Sequence, residues 1–120
     1  MLKKIGIVED EGIVALDISG IVRSLGYQTA FIADSGEKTL LIIKDNMPDA
    51  LLMDIELKGQ LNGLQTAIKI KEEMNMPIIF LTAFEDENTL AKIREVSTDG
   101  YLVKPFDDEL LRKALEKVLS

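Results

Sequence analysis

Five side chains able to do chemistry fall at matching places along the chain. Glu9 and Asp10 follow the apolar run Ile5-Gly6-Ile7-Val8, and Asp54 follows Ala50-Leu51-Leu52-Met53. Thr82 follows Ile78-Ile79-Phe80-Leu81, and Lys104 follows Tyr101-Leu102-Val103. Taken singly, each has a plain structural reading: a helix cap, a turn residue, a strand end, a solvated surface lysine. Four runs ending alike call for one explanation. If the runs are parallel strands, their ends share one edge, and ligands bind at that edge. Two unit charges ~4 Å apart interact by about 4 kcal/mol at an effective dielectric near 20, so three carboxylates there repel strongly. One lysine does not neutralise them, whereas a hard divalent cation does. A few carboxylates with water and backbone oxygen suit Mg2+. Such a cation, the Lys104 charge and the Thr82 hydroxyl together make a cradle for a phosphoryl group. Asp54 is then the natural nucleophile, because a carboxylate attacks phosphorus to give an acyl phosphate.

The elements that must position these groups are legible in the hydropathy pattern. The four runs are apolar on both faces, as parallel strands covered on both sides are. A fifth run, Thr29-Ala30-Phe31-Ile32, is weaker and is placed nearer an edge. Val14, Ile18, Ile21, Val22 and Leu25 form a helical stripe stopped by Gly26. Ser35 caps a helix carrying Leu40, Ile43 and Met47, closed before Pro48. Leu64, Ala67, Ile68 and Met74 mark a third helix, Leu90, Ile93 and Val96 a fourth, and Leu111, Ala114, Leu115 and Val118 a fifth. The acidic run Glu85-Asp86-Glu87 suits the start of the fourth. Gly12 and Gly20, inside the first helix, are read as sites of close approach to a neighbour. Strict alternation of strand and helix predicts an α/β fold, a doubly wound five-stranded parallel sheet with helices on both faces. The segment Lys58-Gly59-Gln60-Leu61-Asn62-Gly63 reads as a long, flexible loop.

Composition narrows the chemistry. The 120 residues predict one domain over 1–120, large enough to hold its own core. The apolar fraction of 47% with 29% charged residues is globular, not disordered. There is no His and no Cys, which excludes Ser-His-Asp catalysis, thiolate nucleophiles, zinc-thiolate sites and a phosphohistidine on this chain. Net charge −7 argues against nucleic-acid or anionic-membrane binding by this segment. The longest apolar runs are about five residues, far short of a membrane span. Met1-Leu2-Lys3-Lys4 passes directly into the first run, so no signal peptide is expected. Gly59 and Gly63 form a G-x-x-x-G in a polar loop, and no Walker-type loop occurs.

At these residues the sequence resembles the receiver domain of two-component response regulators, the CheY-like superfamily. The resemblance rests on Ile7-Val8-Glu9-Asp10-Glu11, Pro48 to Asp54, Pro77 to Ala83, and Gly100 to Phe106 with its Lys104-Pro105 step, in that order. It implies a (βα)5 three-layer sandwich of the flavodoxin-like, CheY-like type. It implies a cytoplasmic signalling domain that is no enzyme in the ordinary sense but catalyses its own phosphotransfer and dephosphorylation. Asp54 is the implied phosphoacceptor. Asp10, Asp54 and the backbone carbonyl of Glu56 are the implied Mg2+ ligands, with Glu9 acting through metal-bound water. Lys104 is implied to pair with phosphoryl oxygens, Thr82 to move toward them, and Tyr101 to turn inward in response. A cis Lys104–Pro105 bond is implied as well. Glu56 and Phe84 stand at the two positions that tune acyl-phosphate lifetime, and bulky Phe84 is expected to lengthen it. The implied partners are a sensor histidine kinase or phosphotransfer protein and an output domain or effector. A homodimer through the face of the fourth helix, fifth strand and fifth helix is left open.

Two features depart from the family pattern. Lys58 and Gly59 stand where many members carry proline, and the loop to Gly63 is one residue longer than the commonest form. Phosphohydrolases of the haloacid-dehalogenase type also combine an Asp nucleophile, Mg2+, a hydroxyl and a lysine. Their nucleophile follows the first strand in an Asp-x-Asp pattern, whereas here Glu9-Asp10 stands at that place. A receiver-like module that is never phosphorylated typically lacks the Asp or the Lys, and both are present here.

Overall fold

A computed structural model of the chain describes residues 2–97 and 99–119. Five strands and five helices alternate: β1 (Lys4–Val8), α1 (Gly12–Ser24), β2 (Gln28–Ala33), α2 (Gly36–Ile42), β3 (Ala50–Asp54), α3 (Gly63–Glu73), β4 (Ile78–Thr82), α4 (Glu87–Val96), β5 (Tyr101–Val103) and α5 (Asp108–Leu119). The strands form one parallel sheet in the order β2-β1-β3-β4-β5. This is the α/β sandwich expected of the alternation.

The strand period of two divides the apolar side chains between two cores. Ile5, Ile7, Ala50, Leu52, Ile79, Leu81 and Leu102 pack with Ala15, Ile18 and Val22 of α1 and Leu111 and Leu115 of α5. Val8, Leu51, Met53, Ile78 and Phe80 pack on the other face with Ala67 and Ile70 of α3, Ile93 of α4 and Ile43 after α2. Every residue of β3 and β4 is buried, so the strands carrying Asp54 and Thr82 are the most firmly held. Phe106 is partly buried against the α1/α5 core.

Several sequence expectations need correction. β5 is an edge strand and only its Leu102 is buried, so it is not covered on both faces. β2 is the opposite edge, where its weaker pattern placed it. A Cβ at Gly12 or Gly20 would meet nothing within 4 Å, so neither serves a close approach. Close approaches lie instead at Gly6, whose Cβ would stand 2.6 Å from Leu51, at Gly36, whose Cβ would stand 2.0 Å from Thr66 Oγ1, and at Gly63. α2 ends at Ile42, and Met47 beyond it is 49% exposed; Ile68 is 48% exposed, on the outer side of α3. Both belong to apolar helical patterns in the sequence, and such spacing does not by itself show where a helix stops or which flank turns outward. The acidic run does start α4, with Asp86 accepting from Thr89 N–H at 3.1 Å.

At the amino end of β4 one carboxylate joins three elements. Asp99 Oδ2 accepts from Lys71 Nζ at 2.9 Å, from Ile78 N–H at 3.0 Å and from Ser97 Oγ at 2.8 Å. Burial alone would raise the Asp99 pKa, but the hydrogen bonds from Ile78, Lys71 and Ser97 outweigh it and hold the carboxyl below its ordinary value. A carboxylate lowered in the folded state stabilises above its unfolded pKa of about 4, and the contribution is lost as pH falls through the folded value. Asp99→Ala should therefore destabilise the fold by roughly 1–3 kcal/mol at neutral pH. The difference from wild type should shrink in acid. Urea titrations at pH 7 and pH 3 check this, and a difference unchanged between the two would contradict it.

Candidate functional site

β1 and β3 are neighbours, and their following helices leave toward opposite faces of the sheet. The strand order reverses there, which opens a crevice at the carboxyl edge. Glu9 and Asp10 stand on its β1 side and Asp54 on its β3 side. One carboxylate oxygen from each of Glu9, Asp10 and Asp54 lies within 4.8 Å of the others. Glu9 is 1% exposed and Asp54 2% exposed, while Asp10 is half-buried.

The buried charges are compensated by one cation and by backbone donors. Lys104 Nζ stands 2.8 Å from Glu9 Oε1 and 3.2 Å from Asp54 Oδ2. Glu9 Oε2 also accepts from Glu11 N–H at 3.1 Å, Asp54 Oδ1 from Glu56 N–H at 3.0 Å, and Asp10 Oδ2 from Lys58 N–H at 3.1 Å. Burial alone pulls the Lys104 pKa down, but its bond to Glu9 and the charges of Asp54 and Glu9 outweigh this and raise it. Lys104 is therefore a fixed cation at neutral pH. Three carboxylates against one ammonium leave an excess of negative charge that suits a hard cation. The cap reading of Glu9 and Asp10 fails, because the N-cap of α1 is Glu11 and its side chain makes no capping bond.

Thr82 is buried at the end of β4. Its Oγ1 donates to the Phe84 carbonyl at 3.2 Å and accepts from Phe84 N–H at 3.0 Å. Lys104 N–H donates to the Thr82 carbonyl at 2.8 Å, so hydroxyl and ammonium are tied through the sheet. Phe84 itself is 58% exposed and Tyr101 36% exposed. The Lys104–Pro105 bond is cis. Glu9, Asp10, Asp54, Glu56, Thr82, Phe84 and Lys104 thus gather at the carboxyl edge, whereas Tyr101 lies back in the sheet at the start of β5, paired with Phe80 two residues before Thr82.

The loop after Asp54 is tied rather than free along its length. Leu57 is buried, Lys58 is held by Asp10, and Leu61 N–H donates to Glu37 Oε1 at 2.7 Å. Asn62 and Gln65 form a reciprocal capping box on α3. The Asn-x-x-Gln spacing was a readable signal for that cap; nothing in the sequence announced Glu37. Gly63 is the second unannounced site residue. Its N–H donates to the Ile55 carbonyl at 3.0 Å, and a Cβ on it would stand 2.0 Å from the Asp54 carbonyl oxygen. The start of α3 thus lies directly against the backbone of Asp54.

Fold and site together define a doubly wound α/β domain with an acidic pocket at its switch point. The family model of the response regulator receiver domain matches residues 5–116, and the chain belongs to that family, a signalling domain of two-component systems. It is 29% identical over 118 residues to the transcriptional regulatory protein PdtaR of Mycobacterium tuberculosis, covering 98% of this chain and 57% of that protein. It is 31% identical over 106 residues to the DNA-binding response regulator MtrA of Mycobacterium bovis, covering 88% of this chain and 46% of that one. The chain thus spans about half the length of these relatives. Among solved structures it is similar to the receiver domain of a modulated diguanylate cyclase from Desulfovibrio desulfuricans. The TM-score is 0.91 at 34% identity, over 99% of this chain and 94% of that one. It is also similar to the receiver domain of sensor histidine kinase PA1611 from Pseudomonas aeruginosa, which has magnesium coordinated in its active-site cleft. There the TM-score is 0.85 at 29% identity, with both chains covered fully at 100%. No helix among the described residues is long and apolar enough to cross a membrane.

The two classes of glycine separate by substitution. Gly63→Ala should destabilise the protein by roughly 1–3 kcal/mol, because backbone rather than a flexible side chain blocks the methyl group. Gly20→Ala, in open space within α1, should stabilise it by about 0.5–1 kcal/mol. Thermal denaturation of the two variants checks both signs, and a stabilising Gly63→Ala would refute the packing described here.

Proposed function

We propose that this domain takes a phosphoryl group onto Asp54 from a phosphohistidine on a sensor histidine kinase or phosphotransfer protein, and that the modified domain controls an output domain or effector. The supporting observation is Asp54 itself: a 2% exposed carboxylate held between Lys104 and two further carboxylates at the carboxyl edge of the sheet. In the transfer, an Asp54 oxygen bonds to phosphorus as the phosphorus–nitrogen bond breaks. The electron pair of that bond stays on the imidazole nitrogen. Hydrolysis reverses the modification, water attacking phosphorus and the carboxylate leaving.

The acidic cluster fits Mg2+ by its donor set. Asp10, Asp54 and the Glu56 carbonyl are the proposed ligands, with Glu9 acting through metal-bound water. Bound there, Mg2+ offsets the charge that accumulates on the transferring group. Lys104 supplies a fixed positive charge beside the Asp54 oxygen, and the backbone N–H of Glu56 orients the carboxylate. Thr82 and Tyr101 are the proposed switch pair, and Glu56 and Phe84 the residues that set the lifetime. The tie between Lys104 N–H and the Thr82 carbonyl gives the two sides of the site one rigid connection. A single receiver domain over 1–120, working in the cytoplasm, completes the reading.

Incubation with acetyl phosphate and Mg2+ should add one phosphoryl mass to the wild type, and EDTA should block the gain. Asp54→Asn should show none. A wild type unmodified under conditions that modify another receiver, or a modified Asp54→Asn, would overturn the assignment.

Mg2+ that binds only the folded state should raise stability, by about 1.4 kcal/mol at ten times its Kd. Asp10→Asn should lose most of that gain. Melting curves with and without millimolar Mg2+ measure it, and superimposable wild-type curves would remove the metal from the site.

A further inference from the structure

The sheet leaves one backbone donor unpaired by the sheet at the mouth of the site, and a side chain has taken it. Along β4 the backbone groups alternate between neighbours. Phe80 N–H donates to the Gly100 carbonyl beside β5, the Leu81 carbonyl accepts from Ile55 N–H beyond β3, and the Thr82 carbonyl accepts from Lys104 N–H beyond β5. Alternation turns Ala83 N–H back to the β3 side. β3 has ended by then: Asp54 pairs with Leu81, and the same register sets Glu56 opposite Ala83. The partner of Ala83 N–H is the Glu56 side chain, whose Oε1 accepts at 2.9 Å. Glu56 is exposed, and its own N–H is spent on Asp54 Oδ1.

We propose that the Glu56 carboxylate is a built-in competitor of the phosphoryl group, holding closed the Ala83 N–H that an anion on Asp54 would otherwise take. This rests on Asp54 being the phosphoacceptor. An N–H bound by a carboxylate is a donor suited to an anion, and a phosphoryl group adds anionic oxygens beside Asp54, between the two loops that Glu56 links. Both cannot use the one donor. The latch therefore opposes entry of an anionic phosphodonor and joins the β3–α3 loop to the β4–α4 loop while the domain is unmodified. Opening it frees Ala83 next to Thr82, whose hydroxyl is at that stage engaged with Phe84.

Two measurements on the full chain test the inference. Hydrogen exchange without phosphodonor or Mg2+ reads the latch directly: the Ala83 amide should exchange roughly three- to tenfold faster in Glu56→Ala than in wild type, the worth of about one exposed hydrogen bond. Phosphorylation by acetyl phosphate should be faster in Glu56→Ala by a similar factor. Glu85→Gln removes one nearby exposed charge without touching the latch and controls for simple repulsion of the donor. Equal Ala83 exchange in wild type and Glu56→Ala would overturn the latch. A rate gain no larger than that of Glu85→Gln, or a loss, would overturn the competition. Failure of every variant to gain phosphoryl mass would overturn the phosphoacceptor reading, and the competition with it, while the exchange data would still report whether the contact forms.

Discussion

Mutual repulsion of Glu9, Asp10 and Asp54 is the constraint around which this edge of the molecule is arranged. Carboxylates as buried as Glu9 and Asp54 cannot be left to bulk water, so each needs an internal partner. Lys104 serves both at once, from the far side of β4. Backbone donors complete the compensation, one from the loop after β1 and two from the loop after β3: Glu11 on Glu9, Glu56 on Asp54, Lys58 on Asp10. The loops are thus shaped by the charges they hold. Gly63 closes the same loop by a different bond: its N–H donates to the Ile55 carbonyl, which seats the start of α3 against the Asp54 backbone.

The compensation is strong enough to fold around and too weak to saturate the site. One ammonium against three carboxylates leaves room for a divalent cation or for the positive end of a ligand. On the other flank α4 is lightly anchored: Ile93 is its one fully buried residue, with Leu90 and Val96 partly covered. A helix that buries little apolar surface opens at lower free energy than the wholly buried strands beside it. The site's links to that flank run through the Thr82–Phe84 pair and the Glu56–Ala83 bond. Wholly buried strands and a lightly held helix thus meet at these few polar bonds.

How much of this could be read from sequence depended on which forces leave a mark there. Central strands were legible because burial on both faces forces an unbroken apolar run, as in Ala50–Met53 and Ile78–Leu81. Tyr101–Val103 looked alike but is an edge strand, since three residues are too few to display a one-sided pattern. The site residues were legible because parallel strands end together, so the first polar residue after each run shares an edge with the others. Features set by tertiary distance were not legible. Gly20 and Gly63 are the same letter, yet one faces open space and the other an oxygen of Asp54. The tie from Glu37 to Leu61 likewise joins residues 24 apart in sequence by no local rule.

The bond between Glu56 and Ala83 shows why the carboxyl edge of a parallel sheet both binds ligands and restrains itself. Strands that stop at different lengths leave donors that no neighbouring strand takes, and β4 runs one residue past the partner of Asp54. A buried N–H must find an acceptor, and an N–H nearer the surface can be held by water, a side chain or a ligand. Here the residue two places beyond Asp54 is long and anionic, and the register sets it opposite the free donor. A short or apolar residue at 56 would leave that N–H to solvent and open to any arriving anion. The identity of residue 56 therefore decides, through its charge and reach, how far the chain itself satisfies the Ala83 N–H.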